Sequence, residues 1–365
     1  MWDEDGAQPR AWLRPMLWPA ALAYRGAVAG WSRWGTALQG GVRRLTVPVV
    51  SVGNLVVGGA GKTPFCLWIA EFLINRGKRP VLLARGYGGR AGRGPLAVSD
   101  GEKVLCGPED AGDEPALIAR RIHGLPVVVG SDRYRCGQYA VNELGADCAI
   151  LDDGFQHQAL HRDLNVLLLD GSRPFGNGRL FPMGRLREPP PALSRADLVV
   201  FTRWDEREDS APERSGIGGS FGDRPVVKTS HRFSGLYSLD GKRALERNEL
   251  TGAAAMLVTG IANPGSFHKT AVRAGFDVRG HLRFPDHHKY ALGELKAVER
   301  RAHACGAQVI LTTEKDAVRF PPGAEALTLP AVQVRVEIHV EAGHDVLKGA
   351  LEKLLARGQA ASDGG

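Results

Sequence analysis

Cysteine is scarce in this sequence. Cys66, Cys106, Cys136, Cys148 and Cys305 are the five in 365 residues, and they lie far apart. None forms a C-x-x-C pair and none joins histidines at metal-ligand spacing, so structural zinc and a full disulfide framework are not expected. The odd number fits a reducing compartment. Also missing is any apolar run of the roughly 18 residues needed to span a bilayer. The opening Met1-Trp2-Asp3-Glu4-Asp5 is acidic where a secretory signal is basic, so no leader is expected either. No internal repeat is present. Composition excludes disorder as the main state, since 43% hydrophobic and 24% charged residues suit a chain with a substantial core. The net charge of +7 suits an anionic partner: a nucleotide, a phospholipid surface, a phosphorylated lipid or a nucleic acid.

Acid is absent where arginine is plentiful. Between Arg10 and Arg44 there are six arginines and no Asp or Glu, and five of the seven tryptophans fall in the first 34 residues. Leu17, Ala21, Tyr24, Val28, Trp31 and Leu38 recur on one helical stripe, with Arg14, Arg25 and Arg33 off it. Such a helix either packs on its own domain or lies in the headgroup layer of a membrane, where Trp and Arg-flanked apolar faces settle. Pro15 and Pro19 confine a continuous helix to the residues after them.

The strongest local signal follows. Val47–Val52 is a short β-branched run that reads as a buried strand, and it enters Gly53-Asn54-Leu55-Val56-Val57-Gly58-Gly59-Ala60-Gly61-Lys62-Thr63-Pro64. Phe65, Trp68, Ile69, Phe72 and Leu73 then recur at helical spacing. Strand, glycine-rich turn, Lys-Thr and helix make the context of a Walker A loop, whose backbone N–H groups close on phosphate. Residues Val56 to Thr63 are therefore the expected nucleotide-binding loop, with Lys62 on the β- and γ-phosphates and the Thr63 hydroxyl on Mg²⁺. The strict pattern wants glycine at 56, where this chain has Val56. The acidic partner of such a loop closes another apolar strand, Cys148-Ala149-Ile150-Leu151-Asp152-Asp153, and either carboxylate can serve the metal.

Strands at 80–85, 126–129, 164–170, 197–202, 224–229, 255–259, 308–312 and 332–338 alternate with helices at 112–123, 131–144, 264–275, 291–305 and 344–357. That alternation predicts an α/β protein with a mostly parallel sheet flanked by helices. Charged, Gly/Ser-rich 203–223 is the expected linker between two lobes. The division is then an N-terminal segment 1–45, a core 46–222, a smaller α/β lobe 223–357 and a disordered tail 358–365. Asp113 opens a helix as either a cap or a working acid. Phe284-Pro285-Asp286-His287-His288 is either a solvent-facing loop or the seat of an imidazole base. The stretches Arg173–Arg179 and Gly184–Pro189 are a phosphate clamp or a solvated surface, and Thr313-Glu314-Lys315-Asp316 a base-reading loop or a helix cap.

In order, Gly58-Gly59-Ala60-Gly61-Lys62-Thr63-Pro64, Arg85-Gly86-Tyr87-Gly88, Gly112-Asp113-Glu114-Pro115, Asp152-Asp153-Gly154-Phe155-Gln156-His157, Leu186-Arg187-Glu188-Pro189, Phe284-Pro285-Asp286-His287-His288 and Thr313-Glu314-Lys315-Asp316 resemble the tetraacyldisaccharide 4'-kinase family of lipid A biosynthesis. The resemblance covers about residues 12–320, and the family's loop departs from the strict pattern as Val56 does. It implies a P-loop type core, ATP and Mg²⁺ as cofactors, and a tetraacylated glucosamine disaccharide 1-phosphate as the lipid acceptor. It also implies a peripheral enzyme on the cytoplasmic face of the inner membrane, held by the N-terminal helix. Asp113 and His287 would be the acid–base dyad, with His288 one residue away as the alternative. Lys62 and Thr63 would serve nucleotide and metal, Asp152 or Asp153 the magnesium, and Gln156, Arg187 and Glu188 would support the site. The competing reading is a membrane-attached P-loop ATPase or GTPase switch with no lipid acceptor. Nucleic acid is not expected as a partner, because no recognition module accompanies the charge, and no obligate protein partner is inferred.

Overall fold

Apolar β-branched runs buried on both faces build the centre of the molecule. The computed structural model describes residues 11–362 apart from 39, 93, 207–222, 247–249 and 251. Its first half comprises α1 (Arg14–Leu38), β1 (Val49–Asn54), α2 (Lys62–Ile74), β2 (Pro80–Ala84), β3 (Leu96–Asp100), α3 (Pro108–Ala111), α4 (Asp113–Arg121), β4 (Pro126–Val129), α5 (Arg133–Leu144), β5 (Cys148–Asp152), β6 (Leu164–Asp170) and β7 (Leu198–Thr202). The second comprises β8 (Val226–Ser238), β9 (Ala244–Leu245), β10 (Ala254–Thr259), α6 (Pro264–Arg273), β11 (Asp277–Arg283), α7 (Leu292–Ala304), β12 (Val309–Thr313), α8 (Glu314–Ala317), β13 (Ala331–Ala342) and α9 (His344–Ser362).

All the strands belong to one sheet, in the order β11-β10-β12-β13-β8-β7-β6-β1-β5-β2-β4-β3, with β9 paired to β8. Neighbours run parallel except at β3/β4, β8/β9 and β8/β13. The expected α/β class and mostly parallel sheet are thus present. β1 leads through α2 to β2 on one side while its neighbour β6 leads to β7 on the other, so the connections part at the carboxyl ends of these two strands and open a crevice there.

The differences from expectation have physical reasons. β3 and β11 were not anticipated, and they are the two edges of the sheet, half-exposed and interrupted by polar residues. β8 extends nine residues past the expected end at 229, to Ser238, because it continues as an antiparallel partner of β13. The helix expected to start after Pro19 begins at Arg14 and contains that proline. Pro15 lies in its first turn, where an N–H has no helical partner anyway. The tail expected to be disordered from 358 is helical to Ser362, since Gln359, Ala360 and Ala361 are good helix formers. Most of the expected linker, 207–222, lies outside the described residues.

The largest core cluster joins α2 (Phe65, Ile69, Leu73) to strands of the first half and to Leu347, Leu351 and Leu354 of α9. The helical stripe of α1 divides between two environments. Leu17, Ala21, Tyr24 and Val28 are half-buried, whereas Trp31 and Leu38 are exposed. Tyr24 docks the helix: its ring meets Phe181 edge-on at 5.7 Å and its hydroxyl donates to the Arg187 carbonyl at 3.0 Å. No helix among the described residues is long and apolar enough to cross a membrane.

Candidate active site

The glycine-rich loop leaves β1 at Asn54 and closes at Gly61, whose left-handed backbone (φ 76°) caps α2 without any side-chain bond. The first N–H groups of α2 therefore face the crevice unsatisfied by the protein, as an anion site requires. Asn54 braces the loop from below, donating to the Val56 carbonyl at 2.7 Å and accepting from Lys62 Nζ at 3.3 Å. Arg185 pins it from the side: Nε donates to the Val57 carbonyl at 3.0 Å, and the Val57 N–H donates to the Arg185 carbonyl at 2.7 Å. Gly58 (φ 116°) must be glycine, because a Cβ there would collide with the Arg185 guanidinium. Arg203 donates to the Gly59 carbonyl at 2.7 Å, and a Cβ on Gly61 would sit 2.9 Å from His231 Nε2. Burial drives His231 down to about 3, so it stays neutral behind the loop.

β5 delivers the carboxylates. Asp152 is buried at the strand end, and Asp153 turns outward with a left-handed φ of 53°. Lys62 Nζ lies 3.4 Å from Asp153, and Arg187 Nη1 grips both oxygens of that carboxylate at 2.8 and 2.9 Å. Burial raises Asp153, but the Lys62 and Arg187 charges outweigh it and hold the carboxyl below its usual range. Asp152 moves the other way, to about 7, through burial and the negative charges of Glu114 and Asp153. Two crowded carboxylates and the Thr63 hydroxyl are a hard-oxygen donor set. Among the described residues no group of three His, Cys, Asp or Glu side chains could hold a metal unaided. That combination fits Mg²⁺, which binds through one or two carboxylates and completes its shell with phosphate and water.

Gln156 and Glu188 stand one layer back. Gln156 donates to the Asn54 carbonyl at 3.1 Å and to Glu188 at 3.0 Å, while Glu188 is gripped by Arg195 through two bonds of 2.8 Å. Beside them, His157 is held down at about 4 by burial and by the positive charges of Arg133 and Arg162. Arg133 is buried and its Nε has no partner among the described residues.

The second group of residues converges from the other side. Asp113 does not cap α4, because Gly112 occupies that position with φ 87° and leaves the carboxylate to tertiary partners. Asp113 Oδ2 lies 3.0 Å from His287 Nδ1. His287 also has a left-handed backbone (φ 61°), which turns its ring toward α4. His288 faces away, 3.1 Å from Glu294 and stacked on Phe284. Thr313 caps α8 through the Asp316 N–H at 3.0 Å, so the cap reading of that motif describes its backbone. Its side chains do more: Lys315 Nζ bonds Glu114 at 3.1 Å and lies 3.4 Å from His287 Nε2. Glu114 is held down by the Lys315 and Lys62 charges against its own burial, so the pair and the loop share one space. Asn54, Glu114, Arg185, Lys315 and Arg319 were missed as individual site residues, although all but Arg319 fall inside motifs noted in the sequence. Chemically, the crevice offers an anion cradle, a cation-binding oxygen set and an imidazole–carboxylate pair.

Comparison with known proteins agrees with this chemistry. The family model described as tetraacyldisaccharide-1-P 4'-kinase matches residues 13–356. A tetraacyldisaccharide 4'-kinase of Anaeromyxobacter sp. (strain Fw109-5) is 43% identical over 354 residues, covering 96% of this chain and 94% of that one. One from Syntrophus aciditrophicus (strain SB) is 44% identical over 308 residues, covering 82% of each chain. Among solved structures, the "apo" form of LpxK from Aquifex aeolicus in complex with ATP superposes with a TM-score of 0.74 at 30% identity, covering 94% of this chain and 99% of that one.

Proposed function

The chain belongs to the tetraacyldisaccharide 4'-kinase family, and on that premise we propose how its residues transfer the γ-phosphate of ATP to the 4'-hydroxyl of a tetraacylated glucosamine disaccharide 1-phosphate. The observation that carries the reading is the His287–Asp113 pair at 3.0 Å beside the Lys62 loop: Gly58 and Gly59 of the loop adjoin Ala262, two residues from the Gly260 carbonyl that holds the His287 N–H. A switch that only hydrolyses nucleotide has no need of such a pair, so the pair favours the kinase over the ATPase or GTPase alternative.

In this P-loop type core, residues Val56–Thr63 bind the triphosphate through backbone N–H groups and the start of α2. Lys62, resting on Asp153, turns to the β- and γ-phosphates. Thr63, Asp152 and Asp153 would hold Mg²⁺, which when bound neutralises the phosphate charge. Asp113 accepts a hydrogen bond from His287 Nδ1 and so fixes the tautomer, leaving Nε2, which faces Lys315 Nζ at 3.4 Å, as the unprotonated nitrogen that takes the 4'-hydroxyl proton. Arg187 and Gln156 keep Asp153 and Asn54 in register, and Glu188 holds this layer through Arg195. Residues 46–222 supply the nucleotide side, and residues 223–357 supply His287.

The acceptor is a lipid, so the enzyme works at a surface. Trp12, Trp18, Trp31 and Trp34 are each more than half exposed, an apolar display that a lone soluble domain rarely carries. These exposed rings on α1 support the reading of a peripheral enzyme on the cytoplasmic face of the inner membrane. Changing Trp18 and Trp34 together to Ser should lower partitioning onto anionic vesicles about a hundredfold, at about 1.5 kcal/mol per ring. Cosedimentation measures it, and undiminished binding would remove α1 as the anchor.

The test of the activity is label transfer from γ-labelled ATP in mixed micelles. Label in the tetraacyl disaccharide, dependent on Mg²⁺, is the expected result. Release of free phosphate at the same rate with or without lipid would overturn the kinase in favour of the switch.

A further inference from the structure

Arg319 lies just past α8, in no motif noted in the sequence, and its side chain is only 3% exposed. Burying a guanidinium is costly unless every donor is used. Here Nη1 donates to the Gly260 and His288 carbonyls at 3.2 Å each, Nη2 to Gly260 at 3.1 Å and Nε to the Lys315 carbonyl at 3.1 Å. Its buried counter-ion is Asp316, 3.1 Å from Nη2, and Asp316 also accepts from the Gly260 N–H and the Tyr290 hydroxyl at 2.9 Å each. Those contacts would satisfy a purely structural arginine. One more goes beyond them: Nε lies 3.3 Å from Asp113 Oδ2, the same oxygen that faces His287 Nδ1.

We propose that Arg319 is a positioning residue for the Asp113–His287 pair. The inference rests on the dyad reading above and adds to it. The Gly260 carbonyl that Arg319 grips also accepts the His287 N–H at 3.2 Å, and the His288 carbonyl is the next acceptor along. One planar fork thus holds the backbone on both sides of His287, a residue in the left-handed conformation that few non-glycine residues adopt unaided. At the same time it presents positive charge to the carboxylate arriving from α4. Arg319 therefore fixes the two members of the pair, which come from opposite halves of the sheet, at one separation. A lysine can supply the charge but not the fork.

The experiment is a double-mutant cycle on the full-length enzyme, reading lipid phosphorylation and thermal unfolding. Arg319→Lys and Arg319→Met are each made in the wild-type and His287→Ala backgrounds. Expected in the wild-type background is a fall in kcat of at least about tenfold for Lys and about a hundredfold for Met, as misplacement of a reacting group produces. KM for ATP should hold. In the His287→Ala background neither change should lower the residual rate further, because there is no imidazole left to position. Should Arg319→Met fail to fold, the lysine variant carries the test. Equal losses in both backgrounds, or full activity of Arg319→Lys, would overturn the proposal and leave the dyad standing. An undiminished His287→Ala enzyme would overturn the dyad and the proposal together.

Discussion

Lys62→Met lowers the rate of lipid phosphorylation at saturating ATP about a thousandfold, in the range seen when one preorganised charge-stabilising donor is removed. Lys62 opens α2 at the end of the loop, suspended between Asn54 and Asp153 on a largely buried stem. Methionine keeps the stem's volume and packing, so the fold survives while the charge is lost. Phosphoryl transfer is mostly positioning and charge neutralisation, so the loss falls on kcat as well as on ATP affinity. With Lys62 gone, Asp153 keeps only Arg187, and its carboxyl rises toward its ordinary value. The measurement is initial-rate label transfer beside a thermal melt. A folded variant with a rate within a few-fold of wild type would mean that Lys62 does not meet the transferred phosphate.

His287→Ala lowers kcat by between about a hundredfold and ten-thousandfold, the usual contribution of a positioned base. Asp113→Asn falls in the same range, because an amide cannot hold the imidazole in one tautomer as a carboxylate does. The two are expected not to add: the double variant should be no slower than His287→Ala, since both act through one proton transfer. Acceptor KM and the melting temperature separate chemistry from damage. His287 is partly exposed at its tip and its removal leaves little cavity, so unfolding is not the expected cause. Retained transfer in His287→Ala, or losses that multiply in the double variant, would dissolve the pair as a unit.

Much of this was legible in the linear chain, and the parts that were not have identifiable causes. The loop from Val56 to Thr63 announced itself, because phosphate cradles need glycine, lysine and threonine at adjacent positions between a strand and a helix. Central strands such as β1, β5 and β6 were equally plain as short, mostly apolar runs. Edges were not: β3 and β11 mix charge with apolar residues because one side of each meets water. Asp113 gave a false local signal. An acid at a helix start looks like a cap, and only the chain's return after 174 residues supplies the histidine that claims it. Arg319 gave no signal at all, since its partners Gly260, His288 and Asp113 are brought together by the fold alone. The N-terminal stripe was half right. Tyr24 does pack inward, but Trp31, one heptad further along the same stripe, is exposed, a distinction that periodicity does not draw.

One further consequence concerns the order in which the molecule can be made. α9 follows every strand of the second half, yet Leu347, Leu351 and Leu354 lie in the same core cluster as Phe65 and Ile69 of the first half. A nascent chain leaving the ribosome therefore carries the apolar face of its first half partly uncovered until α9 has followed the whole second half out. Chaperone capture during translation, and intolerance of polar residues at Leu347, Leu351 and Leu354, follow from where that helix comes to rest.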